Sequence, residues 1–436
     1  MNMSKLIIAV ILVSAVIVSA ESLCETGNLS AGTAKIEITP KSAVRMSGYD
    51  SRKEPSRGVH DPLYARVLVL ESNGLRVGII SCDLIKYTNA RVLRTARERY
   101  DIPYLLICST HTHSGPLFGD YLSPDHDSQY ARSVEKTLIE GLEKALENMF
   151  PARVSAGERT FPQIGYNRLT MRDDGHARAS FRNYERIAYG PVDPEVGVMK
   201  IEDANGTPRA ILMMYACHAV ANGINYEISA DYPGVAARKV EEAIGGDCLC
   251  MFVQGGAGNI NPLFMAAHRK GPDDPVTTDY TMIEKMGTLL AHEVIKTAEN
   301  LSPPFNESAS LKAMSDSLKF RGRFNNELSY SIHFTTMIIG DRIAVATFPG
   351  EPFVGHQLFW KEHAGVPHPF FFGYTFSSGG DFPGYVPDIR SAAYGGYGAD
   401  NSALMIEVGA GEAVMNRHLG NLYRLRGIMR DKPGPN

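Results

Sequence analysis

The sequence predicts an α/β fold built as one large domain, with mixed β-sheets flanked by helices. Three observations lead there. From about Gly58, β-rich runs alternate with helix-like ones. The same order returns in the second half of the chain, and no internal repeat or linker composition divides the two. With 436 residues, 44% hydrophobic and 21% charged, there is ample material for a large core.

Taken in order, the first element is a leader. Lys5 precedes the apolar run "LIIAVILVSAVIV" (Leu6 to Val18), and "VSA" before Glu21 fits a small-residue cleavage pattern, so residues 1–20 read as a secretory signal peptide. The run is short for a membrane span, which favours export with cleavage over an anchor. The strand-like "YARVLVLE" and "RVGIISCD", the helix-like "NARVLRTARERY" and the strand-like "YLLICS" then make a strand–helix–strand unit. An amphipathic helix follows from about Ser128 to Met149, its inner stripe at Val134, Leu138, Leu142 and Ala145. The second half supplies "EVGVMKIE", "RAILMMYACH", a helix opened by Pro233, and "DCLCMFVQ". A helix near Thr281 to Ala298 leads to the β-rich "ASLKAMSDSLKF", "SYSIHFTTMIIG" and "RIAVATFPG". Residues 159–193 and 372–402 have no periodicity and read as long loops, functional or disordered. The domain is expected to run over 30–428, with a disordered tail over 429–436.

Bulk charge excludes little but points nowhere. The formal net charge is −4 with no basic block or acidic tail, which gives no electrostatic argument for a nucleic-acid or acidic-lipid partner. Six cysteines in a chain of this length are not a disulfide framework. Cys248 and Cys250 share one face of a strand, and Cys82, Cys108 and Cys217 end apolar runs as small buried thiols. Glycosylation-type triplets stand at Asn28, Asn205 and Asn306.

Chemistry is expected at strand ends. "STHTHSGP" places His111 and His113 two residues apart just after "YLLICS"; in extended backbone both imidazoles would face the crevice at the strand's carboxyl end. Such a doublet is either a pair of surface histidines or part of a metal site. "YACHAV" runs a second strand into His218, and "ATFPGEPF" sets Glu351 after a third. Glu351 reads either as a metal ligand or as a first-turn carboxylate at a helix dipole. Two histidines and a glutamate are a zinc-hydrolase ligand set with a fourth position left for water. The helical His-Glu-x-x-His shortcut is absent, because "AHEVIK" has Lys296 where the second histidine belongs, and neither a Gly-x-Ser-x-Gly elbow nor a phosphate loop occurs. "VQGGAGNINP" is either an anion-cradling turn or a tight turn capped by asparagine.

In order along residues 30 to 425, "GVHDPLYARVLVLE", "STHTHSGP", "YACHAV" with "ISADYPG", "QGGAGNINP", "FPGEPF" and "PGYVPD…YGGY" resemble the neutral/alkaline (non-lysosomal) ceramidase family. The resemblance implies one zinc ion per chain, held by His111, His218, Glu351 and Tyr385, and hydrolysis of the N-acyl bond of ceramide or a related N-acylated lipid or amine through a metal-activated water. It implies that His113 handles a proton beside the metal, and that Arg168 in "GYNRL" and Tyr397 in "YGGY" contact substrate and polarise its carbonyl. The partner expected is an N-acylated lipid or amine, with peripheral membrane contact and no nucleic acid. Two departures stand out. Asn259 and Asn261 in "GNINP" replace the aspartate and serine of the ceramide-cleaving members, so Asn261 can hydrogen-bond substrate but offers no nucleophile. The chain also stops where larger members continue into a C-terminal immunoglobulin-like domain. Alternative expectations are a zinc hydrolase of another small amide or ester, such as an N-acetylated sugar, and an inactive exported binding protein of the same fold.

Overall fold

The computed structural model describes residues 29–118, 129–161, 164–266, 279–302, 310–401 and 406–430. The leader, Cys24, Asn28, Asn306 and the last six residues of the expected tail lie outside them. A nine-stranded mixed sheet runs, in spatial order, Leu249–Gln254, Pro208–Tyr215, Glu195–Asp203, Phe150–Thr160, Ser30–Glu37, Tyr64–Ser72, Leu75–Cys82, Tyr104–Ser109 and Thr375–Phe376. A four-stranded sheet of Leu311–Arg321, Ser329–Ile339, Ile343–Thr347 and His368–Phe372 lies against it. The mixed α/β class agrees with the sequence reading.

Side-chain alternation sorts the layers. Leu68 and Leu70, Val77 and Ile79, and Leu212 and Met214 join one core with Phe334, Phe370 and Phe372 of the smaller sheet. Their neighbours point to the opposite face. There Val67, Val69 and Ile80 pack under the helices Ala90–Tyr100 and Gln129–Glu147, while Ile211, Met213 and Phe252 pack under Asp231–Ile244 and Thr281–Glu299. Val354–His363 and Ala410–Leu425 cover the smaller sheet through Trp360, Val414 and Leu422. The result is helix, sheet, sheet, helix in four layers. Among the described residues no helix is long and apolar enough to cross a membrane.

Three parallel strand pairs position the site: Leu75–Cys82 with Tyr104–Ser109, Pro208–Tyr215 with Leu249–Gln254, and Ile343–Thr347 with His368–Phe372. Each is joined through a helix, so both members carry their carboxyl ends to the same edge. The helix of the first unit is capped by Asn89, whose side chain accepts from the N–H groups of Arg91 (2.9 Å) and Val92 (3.1 Å). That of the second starts at Asp231, two residues before Pro233; a proline in the first turn loses no helical hydrogen bond.

The sequence reading missed Ser30–Glu37, the middle strand of the large sheet, and the helix Ala410–Leu425. The stretches read as loops are partly ordered into short pieces: Gly165–Asn167 and the hairpin Leu169–Met171/Ala177–Ala179 in the first, and Thr375–Phe376, Tyr385–Val386 and the helix Ile389–Tyr394 in the second. The five described cysteines are buried free thiols, with Cys248 and Cys250 in one cluster as expected.

His418, fully buried, ties the last helix to the smaller sheet. Its Nε2–H donates to the Thr347 carbonyl (3.0 Å), which fixes Nδ1 as acceptor from the Thr336 hydroxyl (2.8 Å). Burial lowers its pKa to about 4. In the unfolded chain the ring titrates near about 6.5, so between these values the unfolded state binds the extra proton and stability falls as pH falls. Each pH unit of acidification inside that window should cost the parent up to about 1.4 kcal/mol through this one ring. Denaturant unfolding of His418→Gln should therefore lose about 2 kcal/mol less than the parent between neutral pH and pH ~4.5. Equal losses would show that His418 does not carry this dependence.

Candidate metal centre

The strand Tyr104–Ser109 ends before the doublet, and His111 adopts a left-handed backbone with φ 64°. The two histidines therefore converge through a turn, not through the pleat of an extended strand as their spacing suggested. Their Nε2 atoms stand 3.2 Å apart. Beneath them the Tyr374 ring packs 4.3 Å from that of His111, centroid to centroid. Its backbone links two site-bearing segments, since Tyr374 C=O accepts from Ser109 N–H (3.2 Å) and Tyr374 N–H donates to Gly350 C=O (3.1 Å).

His111 and His218 are oriented alike. Nδ1–H of His111 donates to Ile85 C=O (2.7 Å), and Nδ1–H of His218 donates to Ala257 C=O (2.6 Å). Each bond leaves an Nε2 lone pair facing inward. Both point at Oε2 of Glu351, 3.4 Å from His111 and 3.3 Å from His218. Glu351 is not a first-turn residue, because the helix begins only at Val354. It sits in a two-residue strand whose parallel partner is Tyr385–Val386, with Glu351 directly opposite Tyr385. That register delivers the carboxylate and the phenol side by side.

Arg168 closes the ring of polar groups. Only 3% exposed, it donates from Nη2 to Gly258 C=O (2.6 Å) and from Nη1 to Oδ1 of Asn261 (3.1 Å). Its guanidinium lies over the rings of Tyr397 (5.0 Å), Tyr385 (5.3 Å) and Phe181 (5.6 Å). All eight residues singled out in the sequence, His111, His113, Arg168, His218, Asn261, Glu351, Tyr385 and Tyr397, line one cavity of about 530 Å³.

Electrostatics prepare this cavity for a cation. Burial, then the charge of Arg168, lowers the His218 pKa to about 4, and burial with the neighbouring imidazoles pushes His113 well below its usual range. Burial alone would raise Glu351, but His111 and His218 outweigh it and hold the carboxyl well below the ordinary range. Neutral imidazoles and an ionised carboxylate are the forms that bind metal. His218 Nε2 and Glu351 Oε2 are also buried without hydrogen-bond partners, an arrangement costly to leave uncompensated. The ligand atoms of His111, His113 and His218 lie within 4.8 Å of one another, so this donor set fits a metal ion.

The glycine-rich turn is a support and not an anion cradle. Its N–H groups are spent internally: Gly255 on Tyr215 C=O, Gly256 on Oε1 of Gln357 and Gly258 on Pro352 C=O. A Cβ on Gly258 would lie 2.4 Å from the Glu351 carbonyl oxygen, so glycine lets the His218 support pass directly behind Glu351. Asn259 accepts from Val354 N–H (3.0 Å) at the head of the following helix.

Several supporting residues had no roles in the sequence reading. Arg52 donates from Nη2 to the carbonyls of His113 (2.6 Å) and Ser47 (3.1 Å). Gly48, φ 99°, packs on the His113 ring so closely that a Cβ would come 2.6 Å from Cγ. The "ISADYPG" segment bolts the two histidine turns together. Ser229 accepts from the Thr112 hydroxyl (2.8 Å) and donates its N–H to Ser114 C=O (3.0 Å). Asp231 accepts from the N–H groups of Ala221 (3.2 Å) and Asn222 (3.0 Å), just after His218. Only "ISADYPG" carried a signal, as a block of the resemblance; nothing local marked Gly48 or Arg52.

Replacing Asp231 by Ala or Asn should free the turn after His218 and weaken metal binding ~10–100-fold in a chelator competition, as losses of such supports typically do. An unchanged metal affinity in folded Asp231→Asn protein would refute this role.

The family model for the neutral/alkaline non-lysosomal ceramidase N-terminal region matches residues 29–279. Among curated proteins, the neutral ceramidase of Pseudomonas aeruginosa is 27% identical over 268 residues, covering 56% of this chain and 38% of that protein. Neutral ceramidase B of Dictyostelium discoideum is 26% identical over 255 residues, covering 53% of this chain and 35% of that protein. The matches thus span little more than a third of these relatives' length. Among solved structures, the neutral ceramidase of Pseudomonas aeruginosa superposes with a TM-score of 0.74 at 18% identity, covering 94% of this chain and 76% of that one, which establishes the shared fold.

Proposed function

Because the chain belongs to the neutral/alkaline non-lysosomal ceramidase family, we propose that it is an exported zinc amidohydrolase cleaving the N-acyl bond of ceramide or a related N-acylated lipid or amine. The observation that carries this reading is the convergence of two backbone-anchored imidazoles and a buried carboxylate at one point of the cavity that Arg168 and Tyr397 also line.

His111, His218, Glu351 and Tyr385 would hold the zinc ion, which when bound supplies a Lewis acid and a water of lowered pKa. His113 differs from the other two histidines in a way that suits a proton carrier. Its Nδ1 is buried without a partner, whereas theirs are tied to carbonyls. In the reaction the oxygen of water joins the acyl carbon as the C–N bond breaks. His113 Nε2 takes the water's proton and returns it to the departing nitrogen, giving a carboxylic acid and a free amine. The Tyr397 hydroxyl, from the wall of the same cavity, donates to the carbonyl oxygen as charge develops there. Arg168, fixed by Gly258 and Asn261, orients the acyl group. The Asn261 side chain accepts from Arg168 and so holds that arginine, and with asparagine in place of the family's serine we infer direct attack by water, without an acyl-enzyme.

The test is asymmetric. The purified chain should contain one zinc per molecule and cleave N-acyl amines only when loaded. His111→Ala should lose metal and activity together, whereas His113→Gln should keep zinc and lose activity by about 100-fold or more, as for other groups acting on transferred protons or developing charge. A zinc-free protein, or a fully active His113→Gln, would overturn the assignment.

A further inference from the structure

The mouth of the cavity is unusual in what it exposes. Of fourteen large apolar side chains exposed among the described residues, eight come from the two short segments 171–189 and 389–397. Phe181 and Tyr397 are cavity walls; the other six are Met171, Tyr184, Ile187, Tyr189, Ile389 and Tyr394. The segments meet edge to face at Phe181 and Tyr397, ring centroids 5.0 Å apart, and again where Gly396 lies against Leu169 and Ala177, and so join into one collar at that wall of the cavity.

The collar is held in shape. Asn183 accepts from Ile187 N–H (3.0 Å) and donates to Ile187 C=O (2.7 Å), closing a loop whose tip is Tyr184, 79% exposed. A fixed apolar tip costs little ordering entropy on docking. Charge is interleaved with it. The same segments carry Arg172, Arg178, Arg182, Arg186 and Arg390 and three carboxylates, Asp173, Asp174 and Glu185, a local positive excess in a chain whose net charge is −4. The bulk charge had hidden it.

Tyrosines among isoleucine, methionine and arginine suit a bilayer interface, where rings sit at the headgroups and guanidiniums meet phosphates. Size points the same way. A cavity of about 530 Å³ suits a drug-sized molecule. The headgroup and amide of a long-chain lipid would occupy it, leaving alkyl chains to cross the collar. Resting on the reading that the substrate is an N-acylated lipid, we propose that this collar seats the cavity mouth on the surface of an anionic bilayer, so that substrate passes from membrane to metal centre without crossing water.

The test uses the whole chain with phosphatidylcholine vesicles, with and without phosphatidylserine. The parent should co-sediment with the anionic vesicles, and Tyr184→Ser/Ile187→Ser should reduce partitioning by about tenfold or more, as expected when interfacial apolar groups are removed. Neither residue lines the metal cavity. The variant should cleave a water-soluble short-chain N-acyl amine at the parent's rate and a vesicle-embedded long-chain substrate more slowly by the partitioning factor. Equal partitioning of parent and variant, no binding by the parent, or a parent dimer that the double substitution dissociates would each overturn the proposal. If the parent cleaves no soluble amide, the hydrolase reading fails, while vesicle partitioning still decides the docking surface.

Discussion

Two imidazole nitrogens and a carboxylate oxygen meet on the wall of a deep cavity, two of the three atoms buried without a hydrogen-bond partner, and much of the architecture exists to keep them there. The lone pairs of His111 and His218 cannot turn away, because each ring's other nitrogen is bonded to a backbone carbonyl. The surroundings are braced in turn: Ile85 follows Leu84, whose carbonyl accepts from His111 N–H, Ala257 lies in the glycine-rich loop, and the turn after His218 is held by Asp231. Such convergence is unfavourable in an empty cavity and favourable around a cation, so the scaffold stores a preference for metal in its hydrogen bonds.

The parallel strand is the means of delivery. Three strand–helix–strand units carry carboxyl ends to one edge, and three of those ends lead into His111, His218 and Glu351. Rigid elements set the distances; the short turns beyond them set the angles. Arg168, Tyr385 and Tyr397 come instead from irregular segments folded over that edge, where they finish the cavity wall.

Legibility in the sequence divided along the same line. The strand-end rule found His111, His218 and Glu351 because apolar runs ending at polar residues are local facts. Tyr385, Arg168 and Tyr397 were named only through the resemblance, since their positions depend on how two loops fold back. The supports Asp231 and Arg52 act by bonding to distant backbone, which leaves no trace in periodicity. Ser30–Glu37 has weak alternation yet sits mid-sheet, and the helix Ala410–Leu425 buries His418 and Asn421, so its inner stripe is broken by polar residues. Even the histidine doublet was legible only in part: its spacing suggested a pleat, and a left-handed residue supplies the convergence.

The proposed ligand set spans two layers. The histidines leave strands of the nine-stranded sheet, while Glu351 follows a strand of the four-stranded one and Tyr385 pairs with it. A folding chain in which only the larger sheet has formed would own two imidazoles and no carboxylate, and its hold on metal would be correspondingly poor. An ion held by this set would therefore bind fully only where both layers are docked, and by linkage its binding energy would fasten the smaller sheet to the larger one.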